Sequence, residues 1–429
     1  MRRNLAIYWV CCTIQWQRVL RLPWLLSVLA LFSVFSLVHP AVVALMQIDS
    51  HEIVGYQSVS YENTRLASPT ADKSQNKLWW NDGHWWADMI SERTNRHHIF
   101  RLNWEQQVWS ETDTELDPRP RSKSDILWDD ETQKLYVAST GYATADTAEH
   151  MTRGVLFRYS YDSPTQSYHL DEGFPVLIMS GSSPSLTLAR DSTGQLWITY
   201  IQQQQVMLRH SLDDDRLWSA PFSLPTEADG VTDGDISALL AFDAKIGVAW
   251  SNQGVDAMYF AIHEDGAAPD DWHQEVVIQG ERYADNHLHL AADSSGRVYV
   301  AAKTSRSDPL AALVVIYVRD TSGRWLGHVF GYGRDQHTRP SIIIDDDNEL
   351  LYMFATSPQS GGAIYYKSTP LDNISFAAGT GTLVLSHPEA TYLNDVTTTR
   401  QHVTGETGLV VVASDRHTRR YYHNFVPLD

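Results

Sequence analysis

The sequence has only two cysteines, Cys11 and Cys12, adjacent and near the start. The rest of the chain therefore has no disulfide, thiolate metal site or cysteine nucleophile available to it. Basic charge is scarce as well. Lys and Arg number 33 against 52 Asp and Glu, a formal net charge of −19, which leaves no extended cationic face for a phosphate backbone and excludes nucleic acid as an expected partner. Beyond the first 44 residues no amphipathic helical pattern of roughly a dozen residues occurs, which argues against α/β alternation. Neither a phosphate-cradling glycine loop nor a Gly-x-Ser-x-Gly elbow is present. Aromatic bulk is plentiful: 15 Trp, 20 Tyr and 12 Phe within 43% hydrophobic residues. That composition excludes disorder and supports a large core without covalent staples.

Residues 1–44 carry Arg2, Arg3, Arg18 and Arg21 and no acid, ahead of the apolar run Leu22 to Val38. This is the layout of a secretory signal, with Val42 and Ala44 as the small residues before a cleavage point and a mature start near Leu45. The other reading is an uncleaved anchor, because Leu22 to Met46 spans 25 residues behind Arg21 and is long enough to cross a bilayer. Either way the remainder is expected outside the cytoplasm, with membrane contact only through this segment. Without the four arginines the exported part carries −19 − 4 = −23. A monomer is expected.

A repeated unit then emerges: a polar lead-in, a short strand, an Asp/Gly turn, an apolar strand and two weaker strands. The turns run through Asp82-Gly83, Asp129-Asp130, Asp191 to Gly194, Asp243-Ala244, Asp293 to Gly296, Asp345 to Asn348 and Thr404-Gly405. Each precedes an apolar strand such as LWITYI or LVVVAS. First strands starting near Asn76, Ser124, Ser183, Asp235, Asn286, Arg339 and Asn394 give spacings of 48, 59, 52, 51, 53 and 55 residues. A period in the low fifties with four strands per unit predicts an all-β β-propeller, seven-bladed with six blades as the alternative. The expected layout is a signal or anchor over 1–44, a closing strand and linker over 45–75, and the propeller over 76–429. The last unit stops after three strands, so Ile53 to Tyr61 is predicted to supply its fourth.

The segment Ser211-Leu212-Asp213-Asp214-Asp215-Arg216-Leu217-Trp218 resembles a degenerate Asp-box, the Ser-x-Asp-x-Gly-x-x-Trp hairpin, with Asp215 in place of glycine. Shadows of it recur at Asp271-Trp272 and Gly323-Arg324-Trp325. The exported chain thus resembles the sialidase-like, BNR-repeat propellers. True sialidases usually have six blades, and they share an arginine triad and a Tyr-Glu pair, of which only Arg339-Pro340 and Arg119-Pro120-Arg121 have counterparts here. The resemblance implies binding of extracellular anionic glycans, with cleavage by hydrolysis or β-elimination. A non-catalytic propeller that docks a protein partner is the competing expectation.

Propeller ligands meet the channel mouth, where the lead-ins to the innermost strands converge with the turns between second and third strands. The substrate-binding candidates by position are Arg121, Asp125, Asp235, Asn286, His289, His337 and Asp395, with Arg306 and Arg416 from facing loops. Those loops also carry Arg93, Arg96, His97, His98, Tyr142, Asp415, His417 and Arg419, so a locally basic funnel is expected, suited to carboxylates. Sialidase-like propellers acting as lyases use His, Tyr and Arg, which by that resemblance makes His287, Tyr332 and Arg339 the catalytic candidates. His287 and His289 share a strand face, where a metal would take Asp235 and His337 as further ligands, but hydrogen-bonded channel histidines are the simpler reading. The acidic turns at Asp213 to Asp215 and Asp345 to Glu349 lack EF-hand spacing and read as solvated hairpins rather than calcium loops. No cofactor is expected. Asn373-Ile374-Ser375 is a glycosylation sequon.

Overall fold

A computed structural model describes residues 53–428 except 65, 67, 71, 72, 120, 142–147 and 226–229. The expected signal or anchor over 1–44 and Tyr142 therefore lie outside the described residues. The predicted repeats appear as seven antiparallel blades. Their innermost strands are Leu78–Asn81, Ser122–Asp129, Leu186–Arg190, Ser237–Phe242, Leu288–Ala292, Thr338–Asp345 and Leu393–Thr397, each within three residues of its expected start. Next outward come the apolar strands His84–Ile90, Lys134–Gly141, Leu196–Gln202, Lys245–Asn252, Val298–Lys303, Leu350–Ser357 and Leu409–Asp415. Blade 2 has a fifth strand, Ser167–Leu170, beside its third. The only α-helix among the described residues is the single turn Glu149–Thr152.

The Asp/Gly turns work as the sequence suggests. In blade 3, Asp191 Oδ1 accepts the amides of Thr193 and Gln195, each at 2.9 Å; in blade 5, Asp293 Oδ1 accepts those of Ser295 and Arg297 at 3.0 and 3.1 Å. Gly194 and Gly296 follow at φ +92° and +86°, where a Cβ would be strained. The second strands are buried on both sides because aromatic and aliphatic side chains pack between neighbouring blades. Trp79, Trp86 and Trp128 fill the joint of blades 1 and 2, and Trp197 and Trp250 that of blades 3 and 4.

Blade 7 has only three strands of its own, and Tyr56–Ser60 supplies the fourth, pairing antiparallel with Arg420–Val426. Thr398 O also accepts from the amides of Lys77 and Leu78, joining the innermost strands of blades 7 and 1.

The stretch between the closing strand and blade 1 is more than a surface linker. Ser74, Gln75, Asn76 and Lys77 are all buried within the ring. Gln75 Nε2 donates to Leu186 O of blade 3 at 3.2 Å, Asn76 Oδ1 meets His289 Nε2 of blade 5 at 3.2 Å, and the Asn76 amide donates to Asp125 of blade 2 at 3.0 Å. The chain thus plugs its own channel. A cavity of about 270 Å³ adjoins the plug, lined by Asn76, Ala189, Ala238, Leu290, Ile342 and Arg400 among others.

Candidate functional site

The lead-ins to the innermost strands define the mouth face, and its richest cluster belongs to blade 5. Asp285 and His287 precede the strand Leu288–Ala292, and Lys303 ends its neighbour. Asp285 Oδ1 lies 2.6 Å from His287 Nδ1, and its Oδ2 is 2.8 Å from Lys303 Nζ. Burial would raise the Asp285 carboxyl, but His287 and Lys303 outweigh it and hold the group at about 2. An ionised carboxylate only accepts, so His287 carries its proton on Nδ1 and its lone pair on Nε2. Burial lowers the His287 pKa below its ordinary value; Asp285 opposes the shift, while the charges of Lys73 and Arg339 add to it. The histidine is neutral at pH 7, oriented and 16% exposed, which are the properties of a general base.

Two more blades complete this sector. Arg339 of blade 6 sets its Nε 2.5 Å from Asp395 Oδ1 of blade 7. Both residues have left-handed backbone, φ +53° and +57°, a strained conformation for non-glycine residues that clusters at functional sites. Arg416 stacks over Tyr392 with its guanidinium carbon 4.5 Å from the ring centroid, and Arg306 over Tyr283 at 5.0 Å. Stacking fixes each guanidinium plane for bidentate contact with a carboxylate. Lys73 of the plug donates to Asn286 O at 3.2 Å. It also lines a second hollow on this face, of about 770 Å³, with Lys123, Ser182, Ser183, Gln202 and Asp233.

The structure gathers His287, Asn286, Arg339 and Asp395 near the mouth as the sequence reading places them, but corrects several roles. Asp395 is the buried counter-ion of Arg339. Asp125 is fully buried, bridging Arg400 at 2.5 Å and the amides of Asn76 and Leu188. Asp235 is equally buried and accepts from Thr232, Ser251 and Gln253 within its own blade. His289 faces the plug and is pushed down by burial to about 3; His337 Nε2 donates to Thr380 O at 2.9 Å, and the ring lies against Phe330 and is pushed down by burial to about 4. These four residues are buried and engaged within the fold rather than turned to an open surface. With Asp235 and His337 so engaged, the His287 and His289 pair gains no further ligands; no group of three metal-ligating side chains occurs among the described residues.

Tyr332 ends the outermost strand of blade 5 under Arg334. That is three strand spacings of about 4.8 Å from the strand His287 leads into, so Tyr332 is not part of the cluster. Arg121 is half-buried at the lead-in of blade 2, across the plug from blade 5. The wide basic funnel does not form either. Arg93 pairs with Glu111 and Arg96 with Glu115, while His97 is buried against Asp88. Tyr283, Tyr392, Lys73 and Lys303 were missed by the sequence reading. Of these only Lys303 carried a signal, its position at the end of an apolar second strand.

The fold defines the chain as a seven-bladed β-propeller. No family model and no curated protein matches it. Among solved structures it is similar to the polysaccharide lyase Uly1, at 10% identity over 83% of this chain and 91% of that one, with a TM-score of 0.52. An alpha-L-arabinanase of Penicillium chrysogenum matches at 9% identity over 75% and 99%, TM-score 0.46, and the endosialidase of phage phi92 at 10% over 89% and 70%, TM-score 0.44. At 10% identity the likeness to Uly1 speaks for the fold alone.

Proposed function

We propose that the mouth face at blades 5 to 7 binds an acidic glycan outside the cytoplasm and cleaves it by β-elimination, with His287 as the base. The observation that carries this reading is the Asp285–His287–Lys303 cluster, a neutral, oriented imidazole flanked by Lys73 and Arg339. In such a step Nε2 removes the proton beside a uronate carboxylate, Arg339 and Arg416 neutralise the charge that spreads onto that carboxylate, and the imidazolium becomes the nearest acid for the departing glycosidic oxygen. Hydrolysis by two carboxyl groups fits less well, because it needs one held protonated and Asp285 is held ionised. The reading needs no cofactor, and it takes the extracytoplasmic address from the Arg-led leader. The sialidase-like affinity rests on the Ser211–Trp218 hairpin. There Ser211 bridges Trp218, and Asp214 rather than Asp213 accepts the turn amide, that of Arg216, at 2.9 Å.

The test is incubation with polygalacturonate, alginate and sulfated uronate glycans, following the ultraviolet absorbance of unsaturated uronate beside a reducing-end assay. Unsaturated product that disappears in His287→Ala is expected. Reducing ends without unsaturation would replace elimination by hydrolysis, and neither signal with any polymer would sink the enzymatic reading.

A further inference from the structure

The opposite face carries a second concave site that the mouth chemistry does not use. Between blades 1 and 7 lies a hollow of about 560 Å³, floored by Trp80 and Trp85 and edged by Trp104. It is built from three turns: the first turn of blade 1 at Gly83 and His84, the outer turn of that blade at Asn103 to Glu105, and the first turn of blade 7 at Gly405 to Gly408. Trp80 and Trp85 meet edge to face at 5.7 Å, and Trp85 Nε1 donates to Thr407 O at 2.8 Å, which fixes the floor.

Trp104 is 46% exposed, yet it is held in place. Its ring packs on Phe425 at 5.1 Å, Gln107 Nε2 donates to its carbonyl at 2.6 Å, and a Cβ at Gly408 would come within 3.5 Å of the indole. A large indole displayed by packing rather than folded away is an exposed apolar surface that asks for an occupant. The rim is polar, with His84, Asn103, Glu105, Ser110 and Glu406. Arg101, the cation of the lining, is turned to Gln166 at 2.7 Å and lies 5.8 Å over Trp86.

We infer that this hollow is a saccharide-binding site for a neutral pyranose segment, separate from the mouth. A pyranose offers a flat face of polarised C–H groups for an indole and a girdle of hydroxyls. Glu105 and Glu406 are the acceptors that hydroxyl donors need, while Asn103 is turned to Gln106. The two rim carboxylates, facing a cation already engaged, disfavour an anionic sugar, the reverse of the charge pattern at blades 5 to 7. The inference goes beyond the mouth reading and does not depend on it: a neutral stretch of a mixed glycan, or a neighbouring neutral polymer, would be anchored here.

The experiment is calorimetric titration of the whole protein with a panel of neutral hexasaccharides (cellohexaose, laminarihexaose, xylohexaose and mannohexaose), beside oligogalacturonate. At least one neutral probe is expected to bind. Trp104→Ala should weaken that binding about tenfold or more, Glu105→Gln should weaken it less, and His287→Ala should leave it unchanged. The inference is overturned if no neutral probe binds, if Trp104→Ala binds as the parent does, or if His287→Ala abolishes the same binding and so places it on the mouth face. Trp104 is exposed, so the variant is expected to fold, and its melting curve checks that. Absence of lyase activity at the mouth would leave the Trp104 result standing.

Discussion

His287 owes its character to its neighbours. Its lowered pKa implies that turnover rises with pH through a value below the ordinary 6.5 for histidine and is flat across neutrality. Asp285→Asn removes a group that raises the imidazole pKa, so the acid limb should move to lower pH while the maximal rate falls. A limb that stays in place in a pH–rate profile would show that His287 is not the titrating base. His287→Ala should cost about 10²- to 10⁴-fold in turnover. Arg339 behaves differently from a free surface arginine. Arg339→Ala withdraws the counter-ion of Asp395, which is 2% exposed, and should cost about 3 kcal/mol of stability. Arg339→Ala with Asp395→Ala should recover part of it, and an unchanged melting temperature in the single variant would contradict the pair. The local cluster was legible in the sequence because Asp285 and His287 are two residues apart. The loss of Asp125 and His289 from the site was not legible, because their partners, Asn76 and Arg400, come from remote stretches of chain.

At the level of elements, the turns announced the blades. Asp191 and Asp293 cap tight hairpins for local reasons, so their spacing survives translation into structure, and the continuous apolar second strands mark burial on both faces. The plug was hidden because Ser74 to Lys77 have ordinary polar composition, and nothing in their pattern shows that they turn inward. Tyr332 was misplaced for a related reason: a strand's rank within its blade decides its distance from the channel, and composition does not encode rank. Deleting residues 53–60 removes the outer strand of blade 7 and exposes the edge of Arg420–Val426. The melting temperature should drop by at least about 10 °C, several kcal/mol at a few degrees each. A small drop would mean that the ring closes adequately without it.

For the whole molecule, acid is the expected weakness. Burial holds His289 at about 3 and His337 and His423 at about 4, one each in blades 5, 6 and 7. The unfolded chain takes up protons near 6.5 that these folded residues refuse, so stability falls as pH drops from about 6.5 toward 4. Denaturant midpoints measured across that window should decline steadily, and a constant midpoint would refute the buried neutral state. His423 lies against Tyr56 of the closing strand at 5.3 Å, so the seam of the ring is among the places where protonation acts.

That seam also sets an order of events. Tyr56 pairs with His423, so the closing strand, synthesised ahead of blade 1, finds its partner only when the last blade has been made. Until then its backbone groups and the open flank of blade 7 wait unpaired, and if the chain is threaded through a membrane they wait on the far side. A nascent propeller of this kind cannot settle blade by blade into its final state; completion is a single late event joining Tyr56–Ser60 to Arg420–Val426, slow in the way that distant contacts are slow. A ribosome stalled within the seventh repeat would therefore hold a chain with most of its core and no finished ring.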